Sequence, residues 1–127
     1  KVSIALDTLD LSSLIIYTDE SKLNQIVSNL LTNALKFTNY GKIELGIESH
    51  DADKVVLFVK DSGIGIEEEN HNMIFTSFYK LDTLKPGSGL GLSIAKALCE
   101  MINGKITLKS ELNIGSTFYI ELPNINH

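Results

Sequence analysis

The run "DESKLNQIVSNLLTNALKF" constrains this chain more than any other stretch, because its apolar residues keep helical time. Leu23, Ile26, Val27, Leu30, Leu31, Ala34 and Leu35 recur at i, i+3, i+4 and i+7, which predicts a core-facing helix with Thr18 or Asp19 as N-cap. A helix apolar on one face needs a second layer to cover it. Two asparagines, Asn29 and Asn33, sit among those leucines. Asparagine is a mediocre helix former, since its amide competes for backbone hydrogen bonds, so their presence calls for a reason.

The second layer is legible as strands. "KIELGI" alternates Ile43, Leu45 and Ile47 inward, the period of a half-buried strand, and "KVVLFVK" is apolar without alternation, as in a strand covered on both faces. "KITLKSE" and "STFYIEL" are joined through "LNIG" as a hairpin, and "KVSIAL" and "LIIY" read as further short strands. "GLSIAKALCEMING" repeats the helical pattern and stops at Asn103-Gly104 in the manner of a C-cap. "IEEENHNMIFTSF" reads as a short acidic-ended helix and "TLKPGSG" as a loop. The sum is an α/β fold: a two-layer α/β sandwich with a mixed sheet covered on one face by helices.

With 127 residues and 43% hydrophobic content the chain holds one core, so residues 1–127 form a single domain. A net charge of -5 with no basic block argues against nucleic acid as partner. The lone cysteine, Cys99, fits a reducing, cytoplasmic compartment and sits on an apolar helix face, as core. No apolar run approaches the ~20 residues of a membrane span. The start at Lys1 suggests a domain of a longer protein, itself open to membrane anchoring.

At about 100° per residue, Asn29, Asn33 and Lys36 fall within an arc of roughly 60° beside the apolar face. Amide oxygens and an ammonium on one flank suit magnesium and phosphate. They suit equally well asparagines bonded to neighbouring loops and a solvated lysine, and the helix alone leaves both readings open. "DSGIGI" (61–66) places a carboxylate at a strand end before glycines that permit close backbone approach, or else a capped turn. "GSGLGLS" (87–93) runs into a helix start, where amides favour anions, and "NIGSTF" passes as a hairpin turn.

In this order, the four segments resemble the catalytic, ATP-binding domain of sensor histidine kinases. Those domains belong to the superfamily of gyrase, heat-shock chaperone, histidine kinase and mismatch-repair ATPases. The resemblance runs from "YTDESKLNQIVSNLLTNALKFT" through "STFYIELP". It implies that Asn33 ligates magnesium, that Asn29 braces the metal and phosphates, that Lys36 meets phosphate and that Phe37 lies against adenine. Asp61, with Gly63 and Gly65, would accept the adenine amino proton, helped by Thr117 through a shared water. Phe75 and Phe78 would anchor a lid spanning about 81–87. Lys80 stands where many relatives have arginine, and Gly87, Gly89, Leu90 and Gly91 would wrap the phosphates.

ATP-hydrolysing members resemble one another in placing a glutamate, the general base, one turn before the metal-binding asparagine. Here that position is Asn29, whose amide cannot take a proton at neutral pH. The resemblance therefore implies a kinase that binds ATP and Mg2+ and donates the γ-phosphoryl to a histidine. That histidine would lie on a dimerisation and phosphoacceptor domain preceding Lys1, with a response regulator receiver domain downstream. His50, within "ESHDAD" read as a strand-to-strand loop, His71 and His127 lack an acceptor setting and read as solvated surface histidines. The rival readings are an ATPase of the same fold and a non-catalytic nucleotide-sensing or scaffold module.

Overall fold

The computed structural model describes residues 2–6, 18–38, 41–50, 53–68, 71, 73–75 and 91–123. Within them lie strand β1 (Val2–Leu6), helix α1 (Glu20–Phe37), strands β2 (Gly41–His50) and β3 (Lys54–Asp61), helix α2 (Gly91–Met101), and strands β4 (Lys105–Glu111) and β5 (Gly115–Pro123). The strands form one sheet in the order β1-β2-β3-β5-β4. β1 runs parallel to β2 and every other pair is antiparallel, so the sheet is mixed, as the strand patterns led us to expect. "LIIY" lies outside the described residues.

α1 begins where Asp19 accepts the Lys22 backbone N–H at 3.0 Å, satisfying one of the free donors of the first turn. Its buried line is Ile26, Leu30 and Ala34, flanked by Leu23, Val27 and Leu31. Leu35, expected in the core, is 48% exposed. At about 100° per residue it lies roughly 140° from the centre of the buried line, beyond the reach of the sheet.

Opposite α1, the sheet presents Ile43, Val59, Phe118, Ile120 and Leu122, all at most 1% exposed, and α2 closes the layer with Ala95 and Cys99. β3 is buried on both faces at its centre: Val55 and Val59 face the helices, while Phe58 faces the other way between its cross-strand neighbours Gly46 and Tyr119. α2 ends in a Schellman motif, in which Gly104 N–H bonds the Cys99 carbonyl at 2.8 Å and Asn103 N–H that of Glu100 at 3.1 Å. Asn103 takes the left-handed position with φ 62°.

Of the short helix expected over "IEEENHNMIFTSF", only residues 66–68, 71 and 73–75 are described. Glu68 begins a 3₁₀ turn closed by His71 N–H at 3.1 Å, and residues 73–75 form a turn. Ile74 enters the core and Phe75 meets Phe118 edge-to-face at 6.1 Å, which seats these two residues against the sheet.

Candidate functional site

The sheet carries its chemistry where β3 ends. Asp61 is 6% exposed and faces the helices, because it continues the parity of Val55, Leu57 and Val59. Burial raises its pKa, opposed by backbone N–H groups of Gly63 and Ser116. The Gly63 N–H donates to Oδ1 at 2.9 Å, holding that oxygen in place.

Three segments are fastened around this carboxylate. Ile64 N–H bonds the Phe37 carbonyl at 3.3 Å, tying the loop after β3 to the last residue of α1. Asn113 N–H, from the turn between β4 and β5, bonds the Ile64 carbonyl at 2.7 Å. Two glycines make the approach possible. A Cβ at Gly63 would stand 2.8 Å from Thr38 Oγ1 and 3.0 Å from Asp61 Oδ1, and one at Gly65, whose φ is +74°, would strike the Glu111 backbone.

Along α1, Asn29, Asn33 and Lys36 are half-buried on the flank that leads to this loop. The Lys36 ammonium lies 5.6 Å from the centre of the Phe37 ring. Asn29 Nδ2 and Thr38 Oγ1 are buried and lack a hydrogen-bond partner among the described residues. Buried polar groups are normally satisfied, so each of these two atoms, one on α1 and one at its C-cap, has a bond left to make outside the described residues.

One expected residue is displaced. The register sets Ser116, not Thr117, opposite Asp61, and Thr117 pairs with Lys60 on the far face of the sheet. Asp61 and Thr117 both border a depression of about 240 Å³ across the strand ends, but from opposite faces. Strand alternation is the cause: Phe118, Ile120 and Leu122 face the helices, and so does Ser116. Two further polar residues, without a motif of their own in the sequence, lie at this end: Ser110, whose Oγ is 2.7 Å from that of Ser116, and the buried Thr38.

Gly91 is the first residue of α2 and exposed, while Phe78, Lys80, Gly87, Gly89 and Leu90 lie outside the described residues. Two expectations about histidines change. His71 is half-buried with Nε2 2.9 Å from the Ile66 carbonyl, and His50 is the last residue of β2 rather than part of a loop. His127 lies outside the described residues. Burial pushes the Cys99 thiol up to about 11, in keeping with a core role. Among the described residues no cluster of three or more His, Cys, Asp or Glu side chains could hold a metal, and no helix is long and apolar enough to cross a membrane.

Comparison with known proteins gives one answer. The family described as histidine kinase-, DNA gyrase B- and HSP90-like ATPase matches residues 18–126. The chain is 43% identical over 117 residues to the autoinducer 2 sensor kinase/phosphatase LuxQ of Vibrio vulnificus, a match spanning 85% of the chain and 14% of that protein. It is 40% identical over 117 residues to the hybrid signal transduction histidine kinase B of Dictyostelium discoideum, spanning 86% of the chain and 6% of that protein. Full-length ShkA in complex with AMPPNP superposes with a TM-score of 0.81 at 31% identity, covering all of this chain and 26% of that one. The catalytic domain of the histidine kinase ThkA superposes with a TM-score of 0.77 at 34% identity, covering 97% and 78%.

Proposed function

The chain belongs to the histidine kinase-, DNA gyrase B- and HSP90-like ATPase family, and from that premise we propose that it binds Mg-ATP between the asparagine flank of α1 and the segment before α2. The base end is Asp61, whose carboxylate, held by the Gly63 and Ser116 backbone N–H groups, accepts the adenine amino proton on its remaining lone pairs, with the Ser116 side chain beside it in place of Thr117. A buried carboxylate held by the Gly63 amide and fastened to the end of the asparagine helix is the observation that carries this reading.

Magnesium fits the donor set. It takes one or two protein oxygens and completes its shell with phosphates and water, so a single amide oxygen from Asn33 suffices where no carboxylate cluster is at hand. When bound, the ion neutralises phosphate charge. Asn29 braces Asn33 and the phosphates, and Lys36 swings from the Phe37 ring to meet a phosphate oxygen. No residue here is suited to deprotonate water at position 29, so the chemistry is transfer to a histidine imidazole supplied by a phosphoacceptor domain of the parent. A receiver domain would then take the phosphoryl group. Gly87, Gly89, Leu90 and Gly91, with Lys80 and Phe78, would form the phosphate side of the cleft.

Thermal unfolding with ATP, ADP and GTP, with and without magnesium, tests this directly. Adenine nucleotides alone should raise the midpoint, and magnesium should add to the ATP effect. In Asn33→Ala the magnesium increment should vanish while the midpoint without ligand stays put. A retained increment would remove Asn33 from the metal. Labelled phosphohistidine on an added acceptor domain distinguishes a kinase from a scaffold.

A further inference from the structure

Ser110 of β4 stands opposite Ser116 of β5, and Ser116 in turn stands opposite Asp61 of β3, all on the face toward the helices. Three groups converge on the Ser110 hydroxyl. The Ile66 backbone N–H donates to it at 2.7 Å, the Gly115 carbonyl oxygen accepts from it at 3.0 Å, and Ser116 Oγ lies 2.7 Å away. A hydroxyl offers one proton and two lone pairs. The Gly115 oxygen can only accept, so it takes the Ser110 proton, and Ile66 fills one lone pair. What remains is a single lone pair, which takes the proton of Ser116. All three bonds form together in this direction alone.

Ser116 then faces its other neighbour, Asp61, with lone pairs only. The carboxylate takes the backbone N–H groups of Gly63 and Ser116 and, ionised, likewise only accepts. We propose that Ser110 is a specificity-determining positioning residue: by holding the Ser116 proton it makes the base end of the cleft a wall of acceptors. At the C6 position such a wall favours an amino group over a carbonyl. The inference rests on the reading above, in which the base docks at Asp61. Ser110 itself need not touch the nucleotide; it acts through the direction of one hydrogen bond.

The test is how the ratio of dissociation constants for inosine triphosphate, which carries the C6 carbonyl and an N1–H, and ATP changes from variant to variant, since the N1 difference between the two bases is common to all of them. Ser110→Ala releases the Ser116 proton toward that carbonyl, so the ratio should narrow by about five- to tenfold, the worth of one hydrogen bond. Ser110→Thr keeps the hydroxyl and should keep the ratio. Adding Ser116→Ala to Ser110→Ala removes the freed donor and should widen the ratio again. If Ser110→Ala weakens both nucleotides in equal proportion, Ser110 only ties the strands together and the proposal is overturned. Should that variant fail to fold, Ser110→Cys, a weak donor and acceptor, carries the same expectation and the same refutation. Failure of the underlying reading shows separately: Asp61→Asn would then leave both ATP affinity and the ratio unchanged.

Discussion

Replacing Asp61 by asparagine should weaken the chain's ligand and strengthen the chain. The amide oxygen can still accept from Gly63 N–H, now made at 2.9 Å, so the loop keeps its shape. In the binding mode proposed above, what changes is the edge toward the base, which turns from acceptor to donor and would meet the adenine amino group donor to donor. Hydrogen bonds to charged groups contribute about 1.5–3 kcal/mol, so ATP affinity should fall by roughly 10- to 150-fold. At ~100 times the parent's dissociation constant, ATP stabilises the parent by about 2.7 kcal/mol, and a ~30-fold loss leaves about 0.9 kcal/mol. Unfolding entropy of about 2.1 cal/mol/K per residue over 127 residues makes these shifts about 10 °C and about 3 °C.

Without nucleotide the sign reverses. Burial raises the folded-state pKa of Asp61 above its ordinary 3.8, so the folded chain holds this proton more tightly than the unfolded chain does. The parent is therefore penalised as pH rises from about that ordinary value through the raised one, and the penalty is complete above it. The neutral amide of Asp61→Asn never bears that penalty. The melting difference, variant minus parent, should grow in favour of the variant across that window and then level off. Differential scanning calorimetry from acid to neutral pH, with and without Mg-ATP, reads both effects. A variant that melts below the parent at neutral pH, or that keeps the full ATP shift, would refute the reasoning.

Ser116→Ala should weaken ATP binding while Thr117→Val should leave it within about twofold, because alternation places the two side chains on opposite faces; equal losses in titration calorimetry would undo the facing argument. Cys99, at 1% exposure with its thiol pushed up to about 11, should resist maleimide at neutral pH and react once the chain is unfolded, as mass spectrometry would record. Asp19→Ala removes the α1 N-cap and should cost about 1 kcal/mol, near 4 °C, with the ATP-induced shift intact.

What the sequence disclosed was local. Asp61 and its glycines are legible because a carboxylate and close backbone approach are needed within a few residues of one another, and Asn29, Asn33 and Lys36 because helical geometry fixes their common flank. Ser116 was also within reach: Phe118, Ile120 and Leu122 announce an inward parity that Ser116 shares and Thr117 does not. Leu35 fits the apolar spacing, yet the sheet covers only part of the helix circumference. After Ile66, the described His71 and Phe75 meet Ile66 and Phe118, and the second of these contacts spans 43 residues and so is not announced by chain order. Ser110 gives no signal at all in the chain order. Its significance arises only when β4 and β5 pair, since Ile66 lies 44 residues away.

Ile64 uses both its backbone groups to hold others, the N–H on Phe37 and the carbonyl on Asn113. A loop so engaged cannot sample many shapes before a ligand arrives, so little freedom is lost at this end on binding. The ordering cost of nucleotide capture must then fall mainly elsewhere in the cleft. With the base docked at Asp61 as proposed, a bare nucleoside should accordingly keep a fast association rate, because this loop is already in place when the two molecules meet.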